Sequence, residues 1–302
     1  MSPVASSIDA ARTPTWTPAQ RAKNHAIYLA VSAALFIAAR LPRRTVERAG
    51  EILGALAHVL LARERACARH NVRTAFPTWD EKTSHRLVRR TFLTLGRFLG
   101  ETVSGLRGPL EPLEIAPEAR ELLSSSLEHP EGVLFVSAHL GPWERVAASL
   151  VHAGFPLTTV AREPYDPRFQ KLYKALRETR GVGAIYRNDR GAAIKILRTL
   201  RRRTLLGMPM DLKSRVPSVQ APFLGRLAAT PVGPAKIALR TGAVVVVGSV
   251  AKRDDGTLHV TAARIDTTGL DEHELTTRLN LELSRRIMQY PEAWPWMHAR
   301  WS

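Results

Sequence analysis

From residue 132 onward the chain repeats one pattern, a short apolar run followed by a stretch with helical spacing. The apolar runs span 133–138, 157–161, 182–186, 205–210, 244–250 and 258–263, and helical patterns lie near 142–153, 166–180, 191–203, 232–241 and 271–289. Strands alternating with helices fold as an α/β layer structure, with helices covering a sheet. Asp254-Asp-Gly256, between the last two runs, is a hairpin signal, so the expected fold is α/β, with a mixed, mostly parallel sheet flanked by helices. A chain of 302 residues holds one large domain or two small ones and can bury a substantial core. It contains no internal repeat.

Ahead of this alternation the chain reads differently. Residues 1–25 are rich in Ser, Thr, Pro and Ala and read as a flexible leader. Residues 26–39 carry no charge, with Arg21 and Lys23 before them and Arg40, Arg43 and Arg44 after them. At ~1.5 Å per residue such a helix is about 21 Å long, short of the ~30 Å hydrocarbon core of a bilayer, so an interfacial anchor is expected rather than a full span. Residues 45–105 read as helical, with Ile52, Leu53, Leu56, Val59 and Leu60 at helical spacing. The expected organisation is a leader (1–25), a helical membrane-anchoring region (26–105) and an α/β core (106–302).

Charge narrows the choice of partner. The 44 Lys and Arg against 27 Asp and Glu give +17, and the excess is uneven. Residues 1–100 and 161–215 each carry +10, while 101–160 carry −5. The partner is expected to be anionic. Aromatic content is only 6%, and there is no zinc finger, RNP-like segment or basic-zipper heptad, so nucleic acid is not expected. Basic residues beside an apolar anchor favour anionic headgroups. The lone Cys67 excludes an intramolecular disulfide framework and a paired-cysteine zinc site.

In open α/β sheets ligand sites collect beyond the carboxyl ends of the strands. The first polar residues there are His139, Arg162 and Asp211, a base, a cation and a carboxylate that share one crevice if their strands are neighbours. In His139-Leu-Gly-Pro-Trp-Glu144 the Gly-Pro pair can turn the strand into a helix, placing Glu144 in its first turn. There the carboxylate can fold back onto the imidazole, fix its tautomer and stabilise its protonated form. Equally, Glu144 can be a first-turn acid favoured by the helix dipole and His139 a satisfied strand-end histidine. There is no Gly-x-Ser-x-Gly elbow, Walker loop, Gly-x-Gly-x-x-Gly or His-Glu-x-x-His. A histidine base without an enzyme nucleophile suits direct deprotonation of a substrate hydroxyl, with no metal or cofactor expected.

An ordered set of segments resembles the lipid A biosynthesis acyltransferases. It comprises Arg69-His-Asn-Val-Arg-Thr-Ala-Phe-Pro77, His139-x-x-x-x-Glu144, Ala161-Arg-Glu-Pro164, Arg177-Glu-Thr-Arg-Gly181, Asp211 with Ala221-Pro-Phe-Leu-Gly225, Thr230-Pro-Val-Gly-Pro-Ala-Lys-Ile-Ala238 and Tyr290-Pro-Glu-Ala-Trp-Pro-Trp-Met-His-Ala-Arg-Trp301. The resemblance covers roughly residues 25–301. It implies a monotopic enzyme on the cytoplasmic face of a bacterial inner membrane, moving a fatty acyl chain from an acyl carrier protein thioester to a hydroxyl of a lipid A precursor. By that match His139 is the general base and Glu144 its partner, while Arg162, Arg180 and Asp211 line the site or bind substrate, with His298 a further candidate. The family usually has Asp-Gln where this chain has Asp211-Leu212. Related enzymes acylate other amphiphiles, such as phosphatidylinositol mannosides, so another anionic glycolipid or phospholipid is the alternative acceptor. A non-catalytic protein that binds anionic lipid is the alternative from another class. Trp294, Trp296 and Trp301 are expected to be packing aromatics.

Overall fold

The computed structural model describes residues 16–301 except 107, 109–110 and 163–165. Helices α1 (Pro18–Ala38), α2 (Arg43–Leu60), α3 (Ala62–Ala75) and α4 (Glu81–Ser104) come first. Strand β1 (Glu114–Ile115) and helix α5 (Pro117–Leu127) lead into β2 (Val133–Ser137), α6 (Trp143–His152), β3 (Leu157–Ala161), α7 (Pro167–Glu178), β4 (Gly183–Tyr186), α8 (Ala192–Leu200) and β5 (Leu205–Pro209). A hairpin, β6 (Ser218–Phe223) and β7 (Arg226–Pro231), precedes α9 (Gly233–Thr241), β8 (Val244–Lys252), β9 (Leu258–Ile265) and α10 (Glu272–Gln289).

The sheet runs β1-β9-β8-β2-β5-β3-β4. Strands β8, β2, β5, β3 and β4 are parallel, while β9 pairs antiparallel with β8 and β1 follows β9. The mixed, mostly parallel sheet read from the sequence is therefore present. The reversal sits at Asp254-Asp-Gly256, where Asp255 accepts from the Thr257 N–H at 2.8 Å and Gly256 has φ +85°. In the central strand β2, Val133, Leu134, Phe135 and Val136 are all buried, as a strand covered on both faces requires.

The hairpin β6–β7 is not foreseen by the apolar pattern, because Pro217, Pro222 and Gly225 interrupt it. Its two-residue turn, Leu224-Gly225, has positive φ at both positions, 49° and 77°, the signature of a type I′ turn. The Leu224 N–H donates to Ser284 Oγ of α10 at 2.9 Å, which ties this strained turn to the core.

The N-terminal region departs from the expected flexible leader over residues 18–25, which are helical. Residues 1–15 of the expected leader lie outside the described residues. From Thr17 on the chain is capped and helical: Thr17 Oγ1 accepts from the Gln20 N–H at 3.2 Å and Gln20 Oε1 accepts from the Thr17 N–H at 3.0 Å. This capping box starts α1 at Pro18, ahead of the uncharged run. Among the described residues no helix is long and apolar enough to cross a membrane.

On α2, Ile52, Leu56, Val59 and Leu60 face outward, half or more exposed, while Leu53 is exposed along a large cavity. The face that packs is made of Val46 and two glycines. Gly50 and Gly54 meet Gly96 and Gly100 of α4 so closely that a Cβ on Gly54 would lie 2.2 Å from the Phe92 carbonyl oxygen, and one on Gly50 2.3 Å from that of Gly96. The two helices therefore touch backbone to backbone.

Candidate active site

Register places the central pair of residues. Ser137 of β2 pairs with Pro209 of β5, so His139 and Asp211, each two residues further on, emerge side by side. The Asp211 carboxylate accepts from His139 twice, from the ring Nδ1 at 2.8 Å and from the backbone N–H at 3.0 Å. A carboxylate only accepts, so Nδ1 carries the proton, and in the neutral ring Nε2 keeps its lone pair. Among the described residues Nε2 has no hydrogen-bond partner. Asp211 is fully buried, while the His139 side chain is 33% exposed, and that exposure is to a cavity.

Electrostatics follow from this geometry. Burial by itself would lower the His139 pKa, but the charge and hydrogen bond of Asp211, helped by Glu144, outweigh it and raise the value. Burial pushes Asp211 up, and the His139 charge with its hydrogen bonds, joined by one from Trp294, overcomes that and keeps the carboxylate ionised.

Glu144 does not bond His139, contrary to the expected dyad. Its carboxylate receives Arg177 Nη2 at 2.7 Å and Nε at 3.3 Å, together with the Tyr173 hydroxyl. Arg177 also donates to Thr159 Oγ1. The reason is positional. Strand β5 lies directly beside β2 and brings Asp211 in register, whereas Glu144, inside the first turn of α6, points at α7. Burial pushes the Tyr173 hydroxyl up, with the Glu144 charge adding to it, so Tyr173 stays a neutral donor.

The cavity measures about 1230 Å³, above the ~300–1,000 Å³ of ordinary small-molecule pockets. Its lining is largely apolar and includes α1 (Val31, Leu35), α2 (Val46, Leu53) and α4 (Leu99, Val103). His139 and the cations Arg162, Arg187 and Lys213 line it as well. Arg162 and Arg187 follow Ala161 and Tyr186, which pair across β3 and β4. Burial and the nearby Arg162 both lower the Arg187 pKa, and neither guanidinium has an ion-pair partner among the described residues.

Of the residues singled out from the sequence, His139 and Arg162 line the cavity, and Asp211 lies buried behind His139. Arg180 does not reach it. It sits in the turn after α7, half-buried, and its terminal nitrogens make no hydrogen bond. His298 does line the cavity, and burial lowers its pKa. Sequence reading missed Arg187, although it is the first polar residue after its strand, the criterion that found Arg162.

The profile of the bacterial lipid A biosynthesis acyltransferases matches residues 15–302, nearly the whole chain. The chain belongs to the bacterial lipid A biosynthesis acyltransferase family. The chain is also similar to a phosphatidylinositol mannoside acyltransferase of Mycolicibacterium smegmatis, 26% identical over 183 residues. That match spans 59% of this chain and 60% of the relative, so the chain aligns with about three fifths of the relative's length.

Proposed function

We propose that this acyltransferase moves a fatty acyl chain from an acyl carrier protein thioester to a hydroxyl of a lipid A precursor or another anionic glycolipid. One observation carries the reading: a histidine with a free Nε2, held by a buried carboxylate, opens onto a large, mostly apolar cavity that is also lined by three cations. Nε2 of His139 takes the acceptor hydroxyl's proton as its oxygen attacks the thioester carbonyl. The tetrahedral intermediate then collapses, the C–S bond breaks, and the proton passes from the imidazolium to the departing thiolate. Asp211 orients the ring and stabilises its positive charge, the role first assigned to Glu144. The apolar lining receives the acyl chain, and Arg162, Arg187 and Lys213 face phosphate groups of donor or acceptor.

A phosphatidylinositol mannoside is the second acceptor reading, favoured by the relative from Mycolicibacterium smegmatis. Either lipid meets the protein at a membrane surface, placed here on the cytoplasmic face of the inner membrane. The outward apolar side chains of α2, with Arg44 and Arg48 on the same helix, form the surface for that contact.

The test is acyl transfer by purified protein from acyl carrier protein to a panel of lipid A precursors and phosphatidylinositol mannosides, read by product mass. A single added acyl mass on one lipid class, lost in His139→Ala, is the expected result. Full activity of His139→Ala would sink the base assignment.

A further inference from the structure

Trp294 and Trp296 are both fully buried, and a buried indole N–H needs an acceptor. The two differ in which acceptor they use. Trp296 donates to the Pro291 carbonyl at 2.7 Å, within its own segment. Trp294 donates to Asp211 Oδ2 at 2.8 Å, the carboxylate that holds His139. The adjacent Ala293 carbonyl accepts from the Gly141 N–H at 3.0 Å, inside the turn that carries His139. Residues 293–294 thus grip both members of the His–Asp pair.

The grip is anchored from the other side. Asn71 of α3 donates its side-chain amide to the carbonyls of Trp296 at 2.8 Å and His298 at 2.6 Å, and Glu292 pairs with Arg90 of α4 at 2.7 Å. Trp294 also rests edge-on against Trp296, with ring centroids 4.8 Å apart. The carboxylate therefore receives three N–H groups, two from His139 and one from Trp294. With Asp211 fully buried, water has no access to replace a missing donor.

We infer that Trp294 is a positioning residue of the reaction, whose indole N–H fixes the orientation and charge of Asp211 and so sets the basicity of His139. The inference rests on His139 being the general base. The indole N–H stabilises Asp211 most when the imidazole opposite is neutral, because an imidazolium already compensates the carboxylate. Removing the N–H destabilises the neutral-imidazole state more than the protonated one. The His139 pKa then rises, and the acid limb of the rate profile moves to higher pH.

The experiment compares Trp294→Phe with Trp296→Phe, two variants that each remove one buried indole N–H from the same segment. Melting temperature, kcat, KM and the pH dependence of kcat/KM are measured for both, together with NMR titration of the His139 ring. Trp294→Phe is expected to lower kcat about tenfold with KM within about twofold. It should also shift both the acid limb and the ring titration upward by about 0.5–1 pH unit, the size of one hydrogen bond. Trp296→Phe should lower melting temperature without moving either. An unmoved titration in Trp294→Phe, or an equal shift in Trp296→Phe, overturns the inference. Should Trp294→Phe fail to accumulate, the wild-type indole resonance serves instead: it must move as His139 titrates, and a resonance that stays fixed overturns the inference. Activity retained by His139→Ala would defeat the general-base reading separately, since the titration reads the Trp294 contact without any acyl transfer.

Discussion

At the scale of single residues, two acids compete for the role of partner to His139, and the hydrogen bonds separate them. Asp211 holds Nδ1, so Asp211→Asn is expected to reduce kcat by about 10²–10⁴-fold while the isosteric side chain preserves the fold. Sign and direction follow from the charge. Asp211 raises the His139 pKa, so in the wild type the base form is lost as pH falls through a value above the ordinary ~6.5. Without the carboxylate the acid limb moves to lower pH, and a kcat/KM profile checks this. Glu144 forms a buried ion pair with Arg177, their side chains 4% and 9% exposed. Glu144→Ala strands that arginine and is expected to cost about 3–5 kcal/mol of stability, measured by denaturant unfolding. Glu144→Gln should move the acid limb less than Asp211→Asn does. Equal shifts in the two would mean that both acids govern the base.

At the scale of elements, the crossing of α2 over α4 shapes part of the cavity wall, because Gly50, Leu53, Leu99 and Gly100 all line it. The glycines at 50, 54, 96 and 100 let the helices touch. Gly54→Ala would drive a Cβ into the Phe92 carbonyl. The expected result is a loss of about 1–3 kcal/mol and an altered acyl-length preference, checked by thermal unfolding and by competition between donors of different chain length. Unchanged stability would show that the crossing relaxes freely. The strands and helices from β2 to α10 were legible because apolar runs and helical spacing alternate cleanly there. The β6–β7 hairpin was not, since prolines break its pattern and its turn relies on Leu224 at positive φ, a conformation that bulky residues rarely adopt.

At the scale of the whole molecule, α1, α2 and α4 contribute apolar wall to the same cavity that His139, Arg162 and Arg187 line from the strand ends. Replacing Ile52, Leu56 and Val59 of α2 by serine removes exposed apolar area and no core contact. The expected result is at least about tenfold weaker binding to anionic vesicles, by analogy with the ~1.5–3 kcal/mol that full burial of one such side chain contributes, with melting temperature unchanged. Raising salt should weaken the same binding, since exposed charges are screened beyond ~10 Å at 0.1 M. Binding that ignores both changes would remove α2 from the membrane contact. The sequence by itself determined the α/β layer, the hairpin at Asp254-Asp-Gly256, the basic character of the chain and the place of His139 just beyond a strand end, because periodicity, turn chemistry, charge and the rule of strand ends are local properties. Only the tertiary structure decided that Asp211 rather than Glu144 meets the imidazole, that Ile52, Leu56 and Val59 of α2 point outward and that Trp294 reaches the His139–Asp211 pair. Each of these depends on which strand inserts beside β2, which face of a helix carries its glycines, or where a distant tail packs. Such pairings are set by packing across the whole chain, and no window of neighbouring residues contains them.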